Sequence, residues 1–163
     1  MTRAAARRLA ALLHGDGLDR YGQPLLDHVR RVAAAVPLDA RVVGWLHEVL
    51  ECTATSAQEL RALGVSEDEI RAVELLTRDL EAGADAYAAH IARIAEAPDR
   101  AGRLARVVKR ADLRDRLLHQ PTSGASGVIR PPYGDALARL SAAPTGGDAD
   151  ASQGSMSAAT VGR

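Results

Sequence analysis

Residues 43–53 read Val-Gly-Trp-Leu-His-Glu-Val-Leu-Glu-Cys-Thr, an apolar helical stretch that carries a histidine and two glutamates. A charged carboxylate placed among buried side chains costs several kcal/mol unless a partner or a cation compensates it. His47 falls between Val43 and Leu50, four residues after one and three before the other, so it shares their inward face. The stretch therefore predicts a buried helix whose polar residues have a task, and the chain on either side should supply the compensation.

Outward from that stretch the pattern is helical almost throughout. Arg3 to Leu13 is amphipathic and ends in the loop HGDGLDRYGQ. Pro24 suits a helix start, and Leu25, Val29, Val32 and Val36 form a stripe that Pro37 stops. Asp39 is placed to cap a helix over 40–52. Thr55-Ser-Ala-Gln58 and Ser66-Glu-Asp-Glu69 both read as capping boxes, the first for a short helix ended by Gly64 and the second for a helix through Leu80. Further helices are predicted over 85–97, ended by Pro98, and from a cap at Asp99 to Leu118. Beyond His119 the segment QPTSGASGVIRPPYG is loop chemistry, and DALARLSAA fits one last short helix. The final PTGGDADASQGSMSAATVGR has little to bury and reads as disordered. No strand pattern or internal repeat is seen. The expectation is an all-α bundle of six or seven helices, divided as a domain over 1–120, a loop and short helix over 121–143, and a disordered tail over 144–163.

Composition narrows the function classes. The 163 residues carry a formal net charge of zero, so no bulk basic field draws nucleic acid or an anionic membrane. Lys109 is the only lysine among many arginines, which reads as a base-composition bias rather than a function. Cys52 is the only cysteine, which excludes an internal disulfide and fits a reducing compartment. The N-terminal apolar run is too short for a signal segment, and no stretch approaches the roughly 18 apolar residues of a membrane span. A soluble cytoplasmic protein is expected. The oligomeric state is not readable.

Two more polar residues sit on apolar stripes. His28 lies between Leu25 and Val32, and Asp112 continues the line of Ala101, Ala105 and Val108, while Arg103, Arg106 and Arg110 read as a solvent-facing ridge. A lone core histidine is ordinarily satisfied by a hydrogen bond, and a lone inward aspartate by an ion pair. Two histidines and an aspartate facing inward from separate helices, with Glu48 beside the second histidine, make a ligand set for one divalent cation. Gly44, one turn before Glu48, reads as space beside that carboxylate. Imidazoles with carboxylates suit Mn²⁺, Fe²⁺ or Zn²⁺ better than Ca²⁺.

The motifs in order resemble the HD-domain metal-dependent phosphohydrolases, in particular the branch of RelA/SpoT-type (p)ppGpp hydrolases. Members show GxPYxxHxxxVA, LHDVLEDT, an LT pair, a tyrosine-bearing helix and VKLADxxxN. This chain has Tyr21-Gly-Gln-Pro-Leu-Leu-Asp-His28-Val-Arg-Arg-Val-Ala33, then Leu46-His-Glu-Val-Leu-Glu-Cys-Thr53, Leu76-Thr77-Arg78, Tyr87, and Val108-Lys-Arg-Ala-Asp112. The resemblance spans residues 10–118 and implies an all-α HD fold. It also implies a metal, commonly Mn²⁺, held by His28, His47, Glu48 and Asp112. Glu51 matches an acid that orients the attacking water, and Lys109, Arg116 and Arg20 are candidates for substrate phosphates. The implied activity is metal-assisted hydrolysis of a nucleotide or related phosphoester.

Three positions depart from the pattern. Glu48 replaces the Asp of the doublet, which moves the carboxylate by about 1.5 Å at full extension. Cys52 stands where a second acid is usual and reads as a small apolar filler. Arg116 stands where an Asn is usual and would either favour phosphates or plug the site by pairing with Glu48 or Glu51. The alternative reading is thus a catalytically degenerate HD-like ligand-binding or interaction module. Among the remaining residues His14 reads as a surface histidine, Trp45 as a packing residue, and His90 has no assignment.

Overall fold

The computed structural model describes residues 1–19, 21–78, 84–119 and 132–142. Nine helical segments are found among them and no strand beyond an isolated bridge between Leu18 and Pro24. They are α1 (Arg3–His14), α2 (Leu25–Ala35), α3 (Arg41–Leu46), α4 (Val49–Cys52), α5 (Ala57–Ala62), α6 (Glu67–Leu76), α7 (Ala84–Glu96), α8 (Arg100–His119) and α9 (Tyr133–Ala142). The chain is all-α, as its periodicity predicts. The expected tail over 144–163 and the loop after His119 lie outside the described residues, as does Arg20.

The helices begin and end for identifiable reasons. Thr2 Oγ1 accepts from the Ala5 N–H at the start of α1, and Asp99 Oδ1 accepts from the Gly102 N–H at the start of α8. The Ser66–Glu69 capping box is present, whereas the first box is one residue later than expected. Ser56 N–H donates to Glu59 Oε2 at 2.7 Å and Ser56 Oγ accepts from Glu59 N, because the Thr55 N–H is taken by Thr53 Oγ1. Asp39 does not cap α3. A turn from the Ala40 N–H to the Pro37 carbonyl starts that helix instead, and Ala40 occupies the cap. α6 stops at Leu76 rather than at Leu80, since Thr77 turns extended and its hydroxyl bonds the Val73 carbonyl.

The most consequential difference lies in the stretch 43–53. The expected single helix over 40–52 is interrupted at His47 and Glu48. His47 Nδ1–H donates to the Gly44 carbonyl at 2.8 Å, the carbonyl that serves the N–H four residues on in an unbroken helix. The break divides the segment into α3 and α4. It adds one segment to the expected helices, and the described residues hold nine segments in place of six or seven helices.

α8 runs through the middle and packs against α2, α3, α6, α7 and α9. Its inward stripe joins Val32, Leu46, Leu60, Ile70, Val73, Ile91 and Leu140 in one core. Each such side chain fully removed from water contributes about 1.5–3 kcal/mol. Trp45 packs between that core and a smaller cluster of Ala10, Leu25 and Val29. Gly44 has a different role from the one its position suggests. A Cβ there would lie 3.0 Å from Ala33 Cα and 3.2 Å from Val36 Cγ2, so the missing side chain lets α3 approach α2 rather than making room for Glu48. That approach sets the distance between the helices carrying His47 and His28.

Arg106 corrects the expected solvent ridge. It is buried, and its Nη1 donates to the carbonyls of Ile94 and Ala97 at the end of α7. Those carbonyls have no helical partner beyond Pro98, and the guanidinium satisfies them. Arg103 is exposed, as expected.

Candidate metal centre

His28, His47, Glu48 and Asp112 are all buried, and one ligating atom from each lies within 4.8 Å of every other. α2 brings His28, the break between α3 and α4 brings His47 and Glu48 together, and α8 brings Asp112. His28 Nε2 is 3.3 Å from His47 Nε2, 3.2 Å from Asp112 Oδ1 and 3.6 Å from Glu48 Oε1. His47 Nε2 is 3.5 Å from the same Glu48 oxygen. Ligands about 2.1 Å from a metal stand roughly 3.0–3.4 Å apart at octahedral or tetrahedral angles, so these separations fit a divalent cation.

The second nitrogen of each ring fixes which atom faces the centre. His47 Nδ1–H donates to the Gly44 carbonyl, leaving Nε2 as the lone-pair nitrogen. His28 Nδ1–H donates to Asp115 Oδ2 at 2.7 Å, and Asp115 is clamped in turn by Arg31 Nε at 2.6 Å and Nη2 at 3.0 Å. With His28 neutral, two imidazole lone pairs and two carboxylate oxygens converge on one volume. Sequence alone singles out neither Asp115 nor Arg31. The available signal was their spacing, three residues after Asp112 on one helix and three after His28 on the other.

Electrostatics separate the two histidines. Burial pushes His47 down to about 4, with His28 adding to the effect. Burial also opposes a charge on His28, but hydrogen bonds to Asp112, Asp115 and Glu48 outweigh it and push this ring up to about 10. Burial would raise Glu48 and Asp112 as well. Both are held below the usual carboxylate range, Glu48 by His28, His47 and Arg116, Asp112 by Lys109, Arg116 and His28.

Arg116 is where the donor set meets competition. Its Nε donates to Asp112 Oδ1 at 2.6 Å and its Nη2 to Glu48 Oε1, the two oxygens that face His28 Nε2. Lys109 Nζ bonds the other Asp112 oxygen at 2.7 Å. Of the two roles open to Arg116 in sequence, the contact with Glu48 is the observed one. These residues line a pocket with Glu51, Leu76, Arg78, Tyr87 and Tyr133. Its free volume is about 20 Å³, room for roughly one water molecule.

The remaining predicted positions divide. Glu51 lines the pocket from α4, but its Oε2 accepts from the Arg78 backbone N–H at 3.1 Å and its Oε1 from Arg78 Nη2 at 3.4 Å. Cys52 is not an apolar filler. It is exposed, and its thiol donates to Glu48 Oε2 at 3.4 Å because the helix turn after the break points it there. Partial burial of the sulfur and the neighbouring Glu48 and Glu51 carboxylates push that thiol up to about 12. His14 is buried rather than superficial, since the end of α1 packs against α3 and α4, and neither ring nitrogen has a hydrogen-bond partner among the described residues. His90 is buried too and pushed down to about 3, first by burial and then by Lys109 and Arg93.

Comparison with solved structures identifies the architecture. A metazoan ortholog of SpoT that hydrolyzes ppGpp and plays a role in starvation responses superposes with a TM-score of 0.66. The two share 19% identity, and the match covers 88% of each chain. The fold is that of this SpoT ortholog. No family model and no curated protein sequence matches the chain. The chain therefore has the helical fold of the SpoT ortholog and holds a buried His/Glu/Asp group. No helix among the described residues is long and apolar enough to cross a membrane.

Proposed function

We propose that the chain is a metal-dependent phosphohydrolase acting on a nucleotide or related phosphoester, in the manner of (p)ppGpp hydrolases. The observation that carries this reading is the convergence of His28 Nε2, His47 Nε2, Glu48 Oε1 and Asp112 Oδ1 at ligand spacing. These residues would hold the cation, with Mn²⁺ favoured over Fe²⁺ or Zn²⁺ by the resemblance. A bound divalent ion would polarise a phosphoryl oxygen and lower the pKa of water. Gly44 and Asp115 orient the two rings, so neither imidazole must reorganise to ligate. Glu51, which lines the pocket and is held by Arg78, would accept a proton from the attacking water. Lys109, which lines the same pocket, would meet substrate phosphate. The single cysteine supports a cytoplasmic setting.

One observation favours a second reading. Arg116 occupies both ligand carboxylates and lines the pocket, as it would in a degenerate ligand-binding or interaction module. Metal analysis decides between them. The hydrolase should take up about one equivalent of Mn²⁺ after chelation and cleave a member of a nucleotide panel that includes ppGpp. His47→Ala should abolish both properties. Absence of turnover with one equivalent of metal demonstrably bound would overturn the hydrolase, and metal far below one equivalent would favour the module.

A further inference from the structure

We propose that Arg116 is a built-in counter-cation for the metal site, displaced when a divalent ion binds and then available to a phosphate-bearing ligand. Metal and phosphate ligand would consequently bind with positive coupling. The proposal rests on the ligand set of His28, His47, Glu48 and Asp112 but not on turnover.

The conflict is atomic. Asp112 Oδ1 and Glu48 Oε1 are the oxygens nearest His28 Nε2, and the same two receive Arg116 Nε and Nη2. A divalent ion bonded to those oxygens would sit against a guanidinium in a pocket that holds about one water, where the repulsion is poorly screened. Arg116 must therefore turn away. Lys109 need not, because its ammonium bonds the opposite oxygen of Asp112. Arg31 need not either, because its partner is Asp115.

Charge balance links that movement to an anion. With His28 neutral, as a ligand must be, Glu48 and Asp112 are balanced by Arg116 and Lys109, two against two. Adding a divalent ion overshoots by two positive charges, and an incoming anion restores the balance. The displaced guanidinium lies on the last turns of α8 at the pocket wall, and its planar fork pairs with phosphate in the bidentate manner it uses for carboxylates. Its departure also vacates the volume a phosphate would need. A lysine there would be a point charge without the fork, and a neutral side chain would neither block the ion nor receive the anion.

The experiment is calorimetric titration of chelator-treated full-length protein with Mn²⁺, with and without saturating inorganic phosphate, for the wild type, Arg116→Gln and Arg116→Lys. In the wild type, phosphate should tighten Mn²⁺ binding by about tenfold, within the usual range of coupling between sites. Arg116→Gln should bind Mn²⁺ about tenfold more tightly than the wild type without phosphate, and phosphate should then add less than about twofold. Arg116→Lys should retain the block with weaker coupling. Unchanged Mn²⁺ affinity in Arg116→Gln, or equal tightening by phosphate in all three proteins, overturns the proposal while leaving the ligand set standing. If Arg116→Gln does not fold, the wild-type titration alone decides, since phosphate without effect there also overturns it. Mn²⁺ binding to none of the proteins overturns this proposal and the metal-dependent reading together, whereas coupling without turnover sinks only the hydrolase.

Discussion

Two walls of the candidate metal centre are held by different kinds of contact. On the wall built by α2 and α3, His28 and His47 bond outward through Nδ1, to Asp115 and to the Gly44 carbonyl, which leaves both Nε2 atoms aimed at the centre. On the wall built by α4 and α8, Glu51 engages Arg78 through both oxygens, and Arg116 holds Glu48 and Asp112. The contacts of the first wall can persist when a cation binds. Those of Arg116 on the second cannot. Preorganisation therefore belongs to the histidine side, and any exchange of partners belongs to the carboxylate side.

The largest effect should come from Asp112, the point at which the walls meet. Asp112 is 1% exposed and bonded by Lys109 and Arg116, with His28 3.2 Å away. Asp112→Asn keeps the shape and removes the charge on which three cationic groups depend. Leaving a buried ion without its partner costs about 3–5 kcal/mol. Urea denaturation of chelator-treated protein should register a loss of that size. A loss below about 1 kcal/mol would show that the cations relax to solvent and that the carboxylate wall is not a fixed structure.

Asp115→Asn and Arg78→Gln should distinguish the walls directly. Asp115 sets the orientation of His28 without touching the centre, and loss of such a support typically lowers metal affinity about 10–100-fold. Among the described residues Arg78 bonds Glu51 and lies over Tyr87, with its guanidinium 6.0 Å from the ring centroid. Arg78→Gln should leave Mn²⁺ affinity within about twofold, the margin expected for a change that spares every ligand support. Equal losses in the two variants would dissolve the distinction between a preorganised and an exchangeable wall.

Legibility in the sequence divides along the same line. His28, His47 and Asp112 stand out because each interrupts an apolar stripe of regular period, and periodicity survives in any one sequence. Their supports do not. Asp115 and Arg31 look like ordinary surface charges until α2 and α8 are laid side by side, and their separation of 84 residues in sequence hides the pair. The break at His47–Glu48 is illegible because it arises from a side chain capturing a backbone carbonyl, which propensity does not encode. His14 and Arg106 pass for surface residues for a related reason. Their burial is imposed by the ends of neighbouring helices, not by the local pattern. For Arg116, sequence poses the alternatives of phosphate contact or plug, and only the placement of its fork on two carboxylates shows which oxygens it holds.

The pH response tests the histidine wall by a smaller, graded effect. His28 is held up at about 10, so over the neutral range its Nε2 carries a proton that must leave before the lone pair can ligate. His47, held down at about 4, carries none there. Mn²⁺ affinity should therefore rise about tenfold per pH unit from about pH 6.5 to about 8.5, the slope of one released proton. Stability of the chelated protein should move the other way. A ring whose folded value exceeds its unfolded 6.5 contributes stability that is complete below 6.5 and is lost as pH climbs toward 10. His47 acts on the acid side, where the unfolded ring gains a proton at 6.5 and the folded one does not until about 4, so stability falls over that interval. Thermal melts of chelated protein should peak near pH 6.5, and saturating Mn²⁺ should remove the alkaline decline, because the ion replaces the proton. A flat affinity profile would mean that His28 is already neutral, and that Asp115 orients the ring without holding a charge on it.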